Sequence, residues 1–481
     1  MFVRGGFANV LPKRRNLNAV DGCSLVLYFK LFKDNLKAQN LLIVISSYVF
    51  YGWWDWRFLL LIIFSTLIDF FVGNRLSKEE NQLKRKVLLW LSVGVNLGVL
   101  GLFKYYNFFI ENFVAAFSFF GNEITANSLN IILPVGISFY TFQTLSYSID
   151  IYKCKLKPTN DIVAFSAFVC FFPQLVAGPI ERATHLLPQF KVKRTFDYFK
   201  AVDGMRQILW GFFKKVVIAD NCAGYVNLMF DNPDAYSGST LLIGGALFAF
   251  QIYGDFSGYS DMAIGLSRLL GFDLKQNFVT PYFSRNFAEV SWFRDYVYIP
   301  LGGSLGSTWM KVRNVLIVFL LSSLWHGANW TFIVWGIIHA LLFMPSVFKK
   351  NKQRTKVVAE GKKLPSIMEA LAMTRTFFLW VLVTIFFRAE SVKQAGNYVS
   401  GIFSSSLFSF EPHVFGRNGV LLTIFICFFM IIEWLGREDK YALEKLTNNW
   451  RSVKRYLFYY FILFLIFFYG GQPQDFIYFQ F

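Results

Sequence analysis

Leu321–Ala340 reads LSSLWHGANWTFIVWGIIHA and sets how the rest of the chain is understood. It holds two of only four histidines, His326 and His339, in a run dominated by aromatic and aliphatic residues. A titratable ring at membrane depth is costly and is kept where it faces a protein interior or a water-filled path. Imidazole also has the unperturbed pKa nearest neutrality, which suits general acid–base work. On one unbroken helix the two rings would lie about 20 Å apart along the axis, at different depths. That spacing favours one histidine as the chemical group, with partners from elsewhere in the chain.

The composition around this stretch agrees with a membrane setting. Of 481 residues, 55% are hydrophobic, 20% aromatic and only 16% charged, against about 25% charged in a typical soluble domain. The apolar residues come in long blocks, which predicts an all-α polytopic membrane protein. A β-barrel would show short alternating segments. The formal net charge is +18, yet Lys and Arg cluster in short loops (75–86, 191–200, 349–363) between apolar blocks. Such clusters mark cytoplasmic loops and favour anionic lipid headgroups, so a nucleic-acid partner is not expected. The five cysteines lack CxxC spacing, which argues against a zinc site or a disulfide framework.

Residues 1–39 form an atypical N-terminal segment, basic and without a run long enough to span, since a span needs about 20 apolar residues. Residues 40–481 read as a single membrane domain. Leu41–Trp54 and Phe58–Val72 are apolar runs separated by WWDWR, an interfacial break. Pro134, Gly136, Pro173 and Gly178-Pro179 interrupt later runs and predict kinks or re-entrant pieces.

Four polar stretches stand out. Pro134–Asp150 spreads hydroxyls and Gln143 along an apolar segment, most simply as helix-to-helix hydrogen bonds. In Ala177–Gln189, Glu181 and Arg182 follow a Gly-Pro break, and His185 lies one turn beyond Glu181, on the same helical face. Spacing favours a salt-bridged turn at the interface. Gln251–Gly265 holds Asp255 and Asp261, acids that at depth need a partner or line a polar path. It lacks the spacing of a calcium loop, so no metal is expected. Tyr282–Gly303 is rich in Trp, Tyr and Arg, and fits a membrane interface. Its Arg294-Asp295 pair could also meet a donor through the planar guanidinium fork.

Taken in order, NLLIVISSYVFYGWWDWRFLLLIIFSTLIDF, LPVGISFYTFQTLSYSIDIY, VAGPIERATHLLPQF, GFFKKVVIADN, IYGDFSGYSDMAIGLSRLLGF, WFRDYVYIPLGGS, LWHGANWTFIVWGIIHA, FFRAES and the terminal FIYFQF resemble the membrane-bound O-acyltransferase (MBOAT) family. The likeness is to its bacterial branch, which holds the alginate O-acetylases, and runs from about Asn40 to Phe481. The resemblance implies a horseshoe of about 10–12 transmembrane or re-entrant helices around a central funnel. It further implies transfer of an acetyl group from acetyl-CoA or another acyl thioester, with no bound cofactor, to hydroxyls of a cell-surface glycan. A periplasmic esterase-like partner would finish the transfer, as in alginate biosynthesis, at the cell inner membrane. The family's signature histidine falls on His326, as general base. His339, Arg294, Asp295, Asp255, Glu181 and Arg182 are the supporting candidates. One departure stands out: before Trp292 the chain is about nine residues shorter than the family motif and lacks its second histidine. That shortening supports an alternative, a catalytically impaired paralogue or scaffold that docks the periplasmic partner. A membrane transporter is a third reading, since kinked segments with polar residues at depth also suit substrate paths.

Overall fold

Two compact units make up the fold, Met1–Ile208 with Met262–Lys275, and Leu209–Asp261 with Gln276–Phe481. The computed structural model describes residues 27–119, 129, 132–176, 178–277, 281–284, 291–348, 357–409 and 411–477. Among these the regular elements are all helical. Among the described residues, six helices are long and apolar enough to cross a membrane: Leu36–Lys78, Gln82–Phe119, Gly238–Leu269, Trp330–Phe348, Ile367–Arg388 and Pro412–Leu435. The chain is a multi-pass membrane protein. Of the expected N-terminal segment 1–39, residues 1–26 lie outside the described residues, and the rest forms a π-helical turn at Leu27–Leu31 and the start of the first long helix at Leu36.

In the first unit, α1 (Leu36–Lys78) starts at Asn35, whose side chain accepts from the Ala38 amide at 3.1 Å. Asp55 breaks it with extended backbone (φ −157°, ψ 112°). The Arg57 amide and guanidinium both donate to the Asp55 carboxylate, so the WWDWR break predicted from sequence is a kink closed by its own ion pair. α2 (Gln82–Phe119) continues through a π-helical turn at Gly101–Tyr105. α1 and α2 pack on each other and on α3 (Ile137–Tyr152), and α1 also packs on α4 (Ile162–Val169). α3 begins at Gly136, which has φ +73° and approaches so closely that a Cβ would lie 2.3 Å from the Leu175 carbonyl oxygen. Only glycine fits there. Three polar side chains of α3 bond to backbone or a neighbouring helix as expected: Gln143 donates to the Phe168 carbonyl at 2.6 Å, Ser146 to the Gln143 carbonyl at 2.7 Å, and Ser148 to Asp69 at 3.1 Å. The core of this unit is aromatic, with Phe165, Phe168, Phe171 and Phe190 fully buried.

The second unit is organised by the part of a helical run from Leu209 onward and the part of a long helix up to Asp261, held backbone to backbone. The run continues from α5 (Tyr198–Phe212) through the π-helical segment Phe213–Ala219 into α6 (Asp220–Asp231). The long helix is α7 (Gly238–Leu269). A Cβ on Gly258 would sit 2.7 Å from the Gly211 carbonyl oxygen, and one on Gly254 2.9 Å from that of Lys214. Small residues four apart let membrane helices approach this closely. α8 (Thr308–His326), α9 (Trp330–Phe348) and α10 (Ile367–Arg388) pack in sequence. α11 (Val392–Ile402), α12 (Pro412–Leu435) and α13 (Ser452–Phe468) follow. Trp210 stacks on Phe213 at 5.0 Å and on Phe429 at 6.0 Å in the centre of this core.

Candidate active site

The WHGANW sequence is the turn of a tight helical hairpin. Ser307 caps α8, accepting from the Met310 amide at 3.3 Å. The helix ends at His326 because Gly327 is extended (φ −165°, ψ 154°), and its amide still donates to the Ser323 carbonyl. A Cβ at Gly327 would lie 2.1 Å from the Phe332 ring, so the turn needs glycine for space, not for backbone angle. Asn329 then opens α9: its side chain accepts from the Thr331 amide at 3.0 Å and donates to the Glu390 carbonyl at 3.0 Å. Gly336 lets α9 close onto Ser323 and Phe319 of α8.

This hairpin puts the His326 ring, partly buried, among three aromatic rings. Trp325 is at 4.7 Å, Trp335 at 5.3 Å and Phe387 at 5.4 Å between centroids, with interplanar angles of 71–76°. Aromatic edges and faces fix the ring plane at little entropic cost. His339 is buried and lies one turn beyond Trp335, whose carbonyl accepts from His339 Nδ1 at 3.2 Å. That hydrogen bond sets the tautomer of the neutral ring, leaving Nε2 as its acceptor. The Trp335 ring is 4.4 Å from His339. The break at Gly327 therefore overturns the single-helix spacing: both histidines touch the same indole.

The other supporting candidates fall into separate settings. Arg294 and Asp295 open a π-helical turn, Arg294–Tyr298, and pair at 2.9 Å near the surface, next to buried Trp292 and Phe293. In the first unit, Glu181 is buried and accepts from His185 at 2.8 Å and from the Lys275 amide. Arg182 is the N-cap residue of the short helix Ala183–Leu186. The Glu181 hydrogen bond raises the His185 pKa above the ordinary imidazole value, against partial desolvation. The stretch before Trp292 where the family's second histidine was expected lies, up to residue 290, outside the described residues.

Asp255 and Asp261 find partners that sequence reading did not supply. Lys215 Nζ lies 2.7 Å from Asp255 and 2.9 Å from Asp220, and donates to the Gln474 carbonyl at 3.1 Å. Asp255 also accepts from the Ile477 amide at 2.7 Å. Lys214 Nζ lies 2.6 Å from Asp261 and 3.6 Å from Glu433. Glu433 in turn accepts from Trp210 Nε1 at 2.7 Å. All six ionisable side chains are buried. Among the described residues no group of three or more His, Cys, Asp or Glu side chains is arranged to hold a metal ion.

A profile of the membrane-bound O-acyltransferase family (MBOAT) matches residues 155–359, which include the lysine pair, α7 and the histidine hairpin. The probable alginate O-acetylase AlgI of Pseudomonas aeruginosa is 36% identical over 418 residues, 84% of this chain and 78% of that protein. The chain belongs to the MBOAT family. The AlgI protein of Azotobacter vinelandii is 38% identical over 76% of this chain and 73% of its own length. The peptidoglycan O-acetyltransferase of Helicobacter pylori is 33% identical over 77% of this chain and 75% of its own length. As an MBOAT protein it is an O-acyltransferase, and its catalytic group must sit where a hydroxyl and an acyl donor can meet. The lysines of GFFKKVVIADN were the missed signal: two adjacent cations in an apolar helix at a position where two acids needed partners.

Proposed function

We propose that this MBOAT protein transfers an acetyl or other short acyl group from a thioester donor, such as acetyl-CoA, to hydroxyls of a cell-surface polysaccharide. The acceptor reading rests on the relatives, named for O-acetylation of alginate and of peptidoglycan. The observation that carries the mechanism is the His326 ring, fixed by three aromatic neighbours at the mouth of the α8–α9 hairpin. His326 takes the proton of the acceptor hydroxyl as its oxygen attacks the thioester carbonyl. The carbon–sulfur bond then breaks, and the departing thiolate takes up a proton to leave as a thiol. Base catalysis of this kind contributes roughly 10²–10⁴-fold, and holding both reactants in one water-poor site supplies the remainder.

His339 is a positioning residue in this reading, acting on Trp335 and through it on His326. Arg294 and Asp295 belong to the donor's approach, with Asp255, Glu181 and Arg182 in the supporting framework. The setting is the bacterial inner membrane, with the acceptor on the outer side and a periplasmic esterase-like protein completing delivery. His326→Ala is expected to abolish O-acetylation of the surface polymer while the protein inserts and accumulates at wild-type levels. Retained acetylation in that variant overturns the assignment.

A further inference from the structure

Arg388, the last residue of α10, is half-buried and pairs with no acid among the described residues. Its Nη2 donates to the Asn227 side-chain carbonyl at 3.1 Å, and its guanidinium lies over the Phe230 ring, 5.6 Å from the centroid. Of the five N–H groups of a guanidinium, one is thereby engaged, and the rest have no acceptor among the described residues. Arg437 in the same unit shows the contrast: it donates to the carbonyls of Val358, Ala359, Lys362 and Trp434. A guanidinium stacked on a ring keeps its in-plane N–H edge open, and that edge matches a carboxylate. The position is also braced. The Gln394 side chain donates to the Phe230 carbonyl at 3.0 Å and accepts from the Glu390 amide at 2.7 Å, clamping the end of α10 to the end of α6.

This guanidinium shares one end of the fold with His326. Phe387, the residue before it, is one of the three rings around His326 and also meets Phe332 at 4.9 Å. Asn329, in the turn after His326, donates to the carbonyl of Glu390, two residues beyond Arg388, at 3.0 Å. That end is the outer one. The basic loop 349–363 between α9 and α10 is cytoplasmic by the positive-inside rule. The 19 residues of α9 and 22 of α10 rise about 28 and 33 Å away from it, about the thickness of the hydrocarbon core. We propose that Arg388 binds a carboxylate of the acceptor glycan, selecting acidic sugars and presenting their hydroxyls to His326. The inference rests on the acyl-transfer reading, in which the acceptor arrives from the outer side. Glu390 and Asp231, close by in sequence to Arg388 and Phe230, are exposed and do not pair with the guanidinium.

The test is equilibrium binding to the full-length protein in nanodiscs of zwitterionic lipid, with no thioester present. The probes are a uronic-acid trisaccharide and its carboxyl-reduced counterpart, which differ only in carboxylate against hydroxymethyl. The wild type is expected to bind the acid at least tenfold more tightly, by a margin that shrinks as salt is raised. Arg388→Gln is expected to remove the margin and leave affinity for the neutral sugar unchanged. Arg388→Lys, which keeps the charge without the planar fork, is expected to keep part of it. Melting temperatures check that each variant folds, and Arg388→Lys carries the test if Arg388→Gln does not. Equal binding of the two probes by the wild type overturns the proposal, and is the result expected of a guanidinium that serves only lipid phosphates. A margin that survives in Arg388→Gln, or stands undiminished in Arg388→Lys, overturns it too. With no donor present the readout does not depend on transfer. Transfer to an acidic acceptor without Arg388-dependent binding strikes this inference alone, and Arg388-dependent binding without transfer strikes only the acyl-transfer reading.

Discussion

His326 and His339 were visible in the sequence because an imidazole in an apolar run has no bland explanation. Their relation was not, because it depends on where one helix stops. Gly327 is that stop, and the reason is a ring three-dimensionally adjacent, Phe332, that periodicity does not reveal. The turn that pairs Glu181 with His185 was legible from spacing alone, and it gives a pH prediction. The carboxylate raises the His185 pKa in the folded protein above its unfolded value of about 6.5. Its contribution is therefore complete below about pH 6.5 and is lost as pH rises through the raised folded value. Melting temperatures of wild type and His185→Phe, compared from pH 5.5 to 9, should differ most at the acid end and converge at the alkaline end. A difference that grows with pH would show that His185 is held neutral instead.

Among the elements, the α8–α9 hairpin is the one whose shape the transfer chemistry depends on most directly. Gly327→Ala would drive a methyl into the Phe332 ring, at 2.1 Å in the present geometry. Overpacking of this kind costs typically 1–3 kcal/mol. The expected outcome is a lower melting temperature together with lost transfer activity, since the turn that would yield also carries His326. Phe332→Leu in the same chain should restore part of both by making room. Trp335→Phe asks a different question. It keeps an aromatic ring between the two histidines but removes the indole N–H, which is buried and has no hydrogen-bond partner among the described residues. Packing should survive this change, so a fall in turnover with an unchanged melting temperature would assign that N–H to substrate contact.

At the scale of the molecule, the second unit is held around charges that no apolar pattern predicts. Composition announced a membrane bundle, and length plus hydropathy located its main spans. The pairing of α7 with Phe213–Ala219 had to come from the structure, because it is set by where Gly211, Gly254 and Gly258 let two backbones meet. That register alone puts Lys214 opposite Asp261 and Lys215 opposite Asp255. Removing one partner of a buried pair strands the other, at a cost of about 3–5 kcal/mol, whereas neutralising both costs far less. Lys215→Met is accordingly expected to destabilise the protein severely, with two carboxylates, Asp255 and Asp220, left facing each other's field. Adding Asp255→Asn should recover part of the loss, and adding Asp220→Asn as well should recover most of it. The double-mutant cycle is read from denaturation midpoints in one lipid mixture. If the losses simply add, the lysine is not what balances the acids and the register has another origin. Non-additive recovery would mean that the glycine-guided approach of the two helices is stable because it brings these charges together, and that the C-terminal segment, whose Gln474 and Ile477 backbone groups bond to the same pair, is anchored by it.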